Sequence, residues 1–168
     1  MIADQELIQR FVLHEGCVLS PYKCPAGYLT IGVGRNLETN PLTSEEKKVC
    51  GDYMRGITKN AAYYLLKNDI KKVTRECKKN IPFFISLDDE RQYALLDMAF
   101  NIGINGLSKF KRMLSALGVG NYEQAAVECL DSNYARQTGK RAKRIANTIK
   151  TIKLTIQIFK FWQSITFF

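Results

Sequence analysis

Histidine is nearly missing from this chain of 168 residues: His14 is the only one, so no histidine metal cluster can be assembled around it. The five cysteines, at 17, 24, 50, 77 and 129, include no C-x-x-C pair and are odd in number. That argues against a disulfide framework and for reduced thiols in a protein made in the cytosol. The opening MIADQELIQR carries acids and lacks an apolar core, so no signal peptide is expected. Acidic residues are also scarce, 16 against 25 Lys and Arg, which leaves a net charge of +9. Such a balance favours a polyanionic partner, whether nucleic acid, an anionic lipid surface or a bacterial cell wall, and charge alone does not choose among them. Neither an internal repeat nor a low-complexity stretch interrupts the chain.

What is present is enough apolar material for a core, 46% of residues, in a length that suits one globular unit of two closely joined lobes. Leu7, Ile8, Phe11 and Val12 make one face of a first helix that Asp4 can cap and Gly16 can stop. From residue 17 to 36 the pattern turns to short extended pieces punctuated by Pro21, Pro25, Gly27, Gly32 and Gly34, which predicts a small antiparallel sheet. Thr43 with Glu46 forms a capping box for a short helix ending near Gly51. Thr58 opens a longer helix whose stripe runs Leu66, Ile70, Val73, Cys77. Beyond Pro82 the pattern is helical: a start at Ser86 or Asp88 with Gly103 as the stop, another at Ser108 ending at Gly118 or Gly120, a third capped by Asn121 with Gln124, and a fourth capped by Thr138. The expected fold class is α+β, a small sheet-bearing lobe (about 17–57) joined by a long helix (about 58–79) to a helical lobe (about 80–168, with the first helix 4–14), all in a single domain 1–168.

Glu15 stands at the end of the first helix and leads into E-G-C-V-L-S-P-Y-K-C-P-A-G-Y-L-T-I-G-V-G-R-N. An acid, a turn-rich hairpin, the polar Cys24 and Thr30, and a glycine-alternating strand fall within about twenty residues. The glycines allow a backbone or ligand to approach a strand that side chains would otherwise shield. That is the layout of a cleft with one catalytic acid, although a lone helix-end glutamate is more often a solvated surface charge.

Four segments in order, Glu15 to Asn36, I-T-K-N-A-A-Y-Y-L-L-K-N-D-I at 57–70, A-L-L-D-M-A-F-N-I-G at 94–103 and R-Q-T-G-K-R-A-K-R at 136–144, resemble the phage lysozyme family typified by the T-even phage enzyme. The resemblance implies a lysozyme-like fold and an endolysin that hydrolyses the β-1,4 bond between N-acetylmuramic acid and N-acetylglucosamine in bacterial peptidoglycan. It implies no cofactor, no metal and no specific nucleic-acid partner. A monomer is expected, held in the host cytoplasm until a separate membrane-permeabilising protein releases it to the wall. The family trio is a Glu, an Asp nine residues on and a Thr six residues after that; here Glu15 and Thr30 match and Cys24 stands at the Asp position.

By the resemblance Glu15 is the general acid, Arg141 a supporting residue close to it, and Thr30 a water-positioning hydroxyl that would otherwise be read as a plain strand residue. Phe100, Asn101, Asn36 and Tyr22 would line the saccharide cleft; a core aromatic and a helix cap are the plainer readings of Phe100 and Asn101. Cys24 is open to three roles: a base for the water, a nucleophile, or a spectator. A neutral thiol carries no charge, but a basic cleft could lower its pKa from about 8.5 and leave a thiolate. Arg35 is expected to pair with Asp69 at the surface, worth about 0 to 1 kcal/mol. The tail reads as a basic amphipathic helix, residues 149–165, that either docks on the first helix or meets an anionic membrane surface; T-I-K-L-T-I-Q-I also alternates like a strand. A catalytically weakened or inactive wall-binding module, and a lytic transglycosylase that needs only one acid, are the alternatives to a hydrolase.

Overall fold

A computed structural model describes residues 4–151. Among them the chain is mostly helical with one small antiparallel sheet, an α+β fold of the expected lysozyme-like kind. It divides into two compact units, one up to Lys109 and one from Phe110 onward.

The first unit opens with α1, Asp4–Glu15, which buries Leu7 and Phe11. Gly16 stops it with φ at 74°, donating its N–H to the Val12 carbonyl, a conformation that costs a glycine nothing. Three strands follow in the order β1–β2–β3: β1 Val18–Lys23, β2 Leu29–Gly32 and β3 Arg35–Asn36. Pro21 is tolerated because β1 is an edge strand, and the pairing with β2 is irregular between Val18 and Tyr22. Alternation along β2 sends Ile31, fully buried, to a core with Leu42, Ile57, Ala61, Ala62 and Leu65, while Thr30 faces the other way.

Helix α2, Ser44–Cys50, begins at the expected capping box, with the Thr43 hydroxyl accepting from the Glu46 N–H and the Glu46 carboxylate from the Thr43 N–H. The long helix α3, Lys59–Asn80, starts where Thr58 accepts from Ala61 N–H, and it buries Leu66, Ile70 and Cys77 of the expected stripe. Helix α4, Asp89–Leu107, is capped by Asp88 rather than Ser86, whose hydroxyl instead closes a 3-10 turn on the Phe83 carbonyl. Gly103 breaks its helical geometry (φ 71°, ψ 163°), but helix resumes to Leu107, so the expected stop is a kink. Arg10 forks onto both oxygens of Glu90 at 2.8 Å and Phe11 meets Phe100 at 4.7 Å between ring centres, which ties α1 to α4.

The second unit holds α5 Lys111–Gly118, α6 Tyr122–Leu130, α7 Asn133–Thr138 and α8 Lys140–Lys150. Buried small residues of α6 (Ala125, Ala126) and of α8 (Ala142, Ala146) let these two helices pack closely. Asn121 caps α6 on Gln124 N–H as expected. Two expected starts are corrected. Ser108 ends α4, giving its N–H to Ile104, and α5 begins at Lys111 without a side-chain cap. Thr138 ends α7, its hydroxyl turned back to the Tyr134 carbonyl, while Ser132 caps that helix and Gly139 separates it from α8. Among the described residues no helix is long and apolar enough to cross a membrane. The expected tail helix falls largely outside the described residues; of it only Ile149, Lys150 and Thr151 are described, Ile149 buried.

Candidate functional site

The site is built on the sheet. Tyr22 pairs with Thr30 and Thr30 with Asn36, so these three residues form one row across β1, β2 and β3 and present their side chains on one face. Cys24 follows at the first position after β1, in the loop that closes the β1–β2 hairpin. Its N–H donates to the Tyr28 carbonyl at 3.0 Å, and its carbonyl accepts from Gly27 N–H at 2.7 Å. From the other side α1 brings Glu15, and α4 brings Phe100 and Asn101.

All seven line one cleft of about 930 Å³ within the first unit. Glu15 is half-buried at the last turn of α1, Thr30 is buried, Cys24, Tyr22, Asn36 and Phe100 are half-buried, and Asn101 is exposed. The core and cleft readings of Phe100 are both realised, because its ring meets the Phe11 ring at a tilt of 46° while the residue still lines the cleft. Asn101 is no helix cap, since α4 runs on past it. Arg141, expected beside the acid, is a half-buried residue of α8 in the second unit.

Cys24 has the most distinctive electrostatics. Desolvation pushes its thiol upward, but hydrogen bonds from the backbone N–H groups of Ala26, Tyr28 and Gly27 and from the Thr30 hydroxyl outweigh it and hold the pKa below the ordinary thiol value. The cause is the amides of the hairpin loop, among which Gly27 N–H is shared with the Cys24 carbonyl, and not the basic cleft that the composition suggested. Thr30 has a single hydroxyl proton and two acceptors for it, the Cys24 sulfur and the Tyr28 carbonyl at 3.0 Å. Tyr22 is pushed up by desolvation first and then by the negative charges of Cys24 and Glu15. The thiols of Cys77 and Cys129, buried in apolar surroundings, are pushed up to about 12 and about 11. All five cysteines are free, and Cys24 is the one whose surroundings favour a thiolate.

The Arg35–Asp69 pair exists, and its expected place at the surface is corrected. Arg35 is 5% exposed and Asp69 7%. Its Nη1 donates to Asp69 Oδ1 at 2.5 Å, its Nη2 to Glu46 Oε2 at 2.7 Å and its Nε to the Asn40 carbonyl at 2.7 Å. One guanidinium therefore serves two buried carboxylates. Burial pushes Asp69 up to about 6 against the pull of Arg35 and Asn40, while Glu46, though burial raises it, ends below the usual carboxylate range through the Thr43 N–H, Asn68 and Arg35. The network pins β3 to α2 and α3 beneath the cleft. Sequence reasoning missed the α3 wall of the cleft, where Asp69, Lys72, Val73 and Glu76 face it. Their three- and four-residue spacing was the available signal, on a stripe next to the apolar one.

The phage lysozyme family model matches residues 12–148. The chain belongs to the phage lysozyme family. At the level of that family it is a peptidoglycan-hydrolysing lysozyme, a glycosidase. The chain is 32% identical over 150 residues to the pre-baseplate central spike protein Gp5 of Enterobacteria phage T4, covering 82% of this chain and 26% of that protein, so it spans about a quarter of the spike protein's length. T4-type lysozyme 1 of Dictyostelium discoideum is 32% identical over 151 residues, with 82% of this chain and 89% of that one covered. An endolysin of Acyrthosiphon pisum secondary endosymbiont phage 1 is 31% identical over 135 residues, 80% of each chain.

Proposed function

We propose that this lysozyme cuts the β-1,4 bond between N-acetylmuramic acid and N-acetylglucosamine, with Glu15 as general acid. The observation that carries the reading is the meeting of Glu15, Cys24 and Thr30 on one cleft, the acid from a helix end and the other two from a single hairpin. Glu15 protonates the bridging oxygen as the bond to the anomeric carbon stretches. The anomeric carbon develops positive charge, and a thiolate at Cys24 supplies the negative field that a neutral thiol cannot. The Thr30 hydroxyl gives its one proton to the Cys24 thiolate or to the Tyr28 carbonyl, and in either case its oxygen keeps lone pairs that accept from a water. Cys24 takes the proton that the water gives up on attack. Phe100 offers an apolar ring to a sugar face, and Asn36, Asn101 and Tyr22 offer polar groups to its hydroxyls and acetamido groups.

On this reading the enzyme acts as a monomer, waits in the host cytoplasm for a separate permeabilising protein, and lyses the host from within. Contact of residues 149–165 with an anionic membrane surface belongs to the same proposal and rests on the charge pattern of that segment. The test is product analysis by mass spectrometry and NMR on wild type, Cys24→Asp and Cys24→Ala. Products heavier by one water, with the anomeric configuration inverted, support Cys24 as the base. Retained configuration overturns that role in favour of a covalent glycosyl–sulfur intermediate, and anhydro sugars overturn hydrolysis altogether.

A further inference from the structure

The outward face of α6 holds apolar side chains in water. Ala125, Ala126 and Cys129 turn inward, while Val127 and Leu130, three residues apart and so neighbours on the helix surface, are 56% and 45% exposed. Its packing partner α8 differs. That helix buries its apolar stripe, Ala142, Ile145, Ala146 and Ile149, and turns Lys140, Lys143, Asn147 and Lys150 to solvent. Of the two, α6 is the one with large apolar side chains left exposed.

The chain leaves α8 beside that face. Lys150 Nζ donates to Glu123 Oε2 at 2.8 Å, which sets the last residue of α8 against the first turn of α6. Val127 and Leu130 lie one and two turns further along α6. At Thr151 the backbone becomes extended (φ −69°, ψ 122°), with its N–H still given to the Asn147 carbonyl. Seventeen residues follow, 152–168; ten of them are Ile, Leu, Phe or Trp, two are lysine and none is acidic. So apolar a segment is driven to cover itself, and α6 offers apolar surface where the segment begins. Length suffices: the nine residues of α6 span about 13 Å, and seventeen residues exceed that even at the helical rise of about 1.5 Å each. Charge agrees as well, because Glu123 and the exposed Asp131 bracket the stripe and the segment brings Lys153 and Lys160.

Independently of the hydrolase reading above, we propose that residues 152–168 fold back onto α6 and cover Val127 and Leu130 in the protein free in solution. An anionic membrane surface then competes for the same apolar residues and takes up the segment only by displacing it from α6.

Trp162 is the only tryptophan of the chain, so the protein's own fluorescence reports on this segment. The full chain is compared with Val127→Gln/Leu130→Gln, which removes the apolar stripe with a good helix former and no added charge. The control is Leu13→Gln/Ile85→Gln, at apolar positions 77% and 71% exposed on α1 and on the 3-10 turn before α4. The expected wild-type emission lies at short wavelength and resists quenching by acrylamide. In the α6 variant it moves to longer wavelength and is quenched several-fold more, with helicity by far-UV circular dichroism unchanged, while the control keeps the wild-type emission. A wild type quenched like free tryptophan, an α6 variant that stays protected, or a control that exposes Trp162 as much overturns the docking. Protection lost on dilution assigns the cover to a second copy and overturns it too. Reducing ends released from peptidoglycan by the same proteins report on the hydrolase reading separately.

Discussion

At residue scale the decisive position is 24. Where the family trio carries a carboxylate, this chain has a sulfur whose anionic form is held by three backbone amides and one hydroxyl. The hairpin loop supplies the amide donors through its backbone, so these do not depend on which side chains occupy it. A group with a lowered pKa is ionised at lower pH, and thiolate, not thiol, reacts with alkylating agents. The rate of Cys24 alkylation should therefore reach half its maximum below the ordinary thiol value of about 8.5, followed by mass spectrometry of the modified peptide. Thr30→Val removes one of the donors and should move that midpoint upward; a midpoint at or above about 8.5 in the wild type would contradict the amide-held thiolate. This much of the site was legible in the sequence because the trio's spacing lies within one hairpin, where neighbours in the chain are neighbours in space. The loop amides that tune the sulfur were not legible, because a turn's N–H directions follow from its dihedrals and not from residue names.

At the scale of elements, start signals acted where they were local and uncontested. Thr43 with Glu46, Thr58, Asp88 and Asn121 each cap the helix that follows. Ser108 and Thr138 carry the same hydroxyl chemistry and do not, because each lies at the end of a preceding helix that already holds its backbone. Arg35 shows the other limit. Its pairing with Asp69 could be expected, but its burial could not, since it follows from α2, α3 and the loop at Asn40 all closing on it. Burial changes the energetics from a weak surface pair to a network in which a missing partner leaves charge stranded. Arg35→Met should cost about 3 to 5 kcal/mol by urea unfolding. A cost below about 1 kcal/mol, the range of an exposed pair, would show that the network is not the clamp described here.

At the scale of the whole molecule, the net charge of +9 acts over distances larger than any single contact. A polyanionic wall attracts such a protein, and salt screens that attraction as the Debye length falls from about 10 Å at 0.1 M to about 3 Å at 1 M. Turbidity clearing of intact walls should slow with added salt mainly through a rising KM, while kcat on short soluble glycans stays nearly constant; a salt effect confined to kcat would place the charge's role in the chemistry instead. On the proposed reading charge brings the enzyme to the wall, and the cleft does the cutting. The direct measurement is therefore the appearance of new reducing ends from purified peptidoglycan with wild type and with Glu15→Gln. Loss of a positioned general acid predicts a rate lower by about 10²- to 10⁴-fold with the fold intact, and a Glu15→Gln enzyme that releases reducing ends at the wild-type rate would contradict the account.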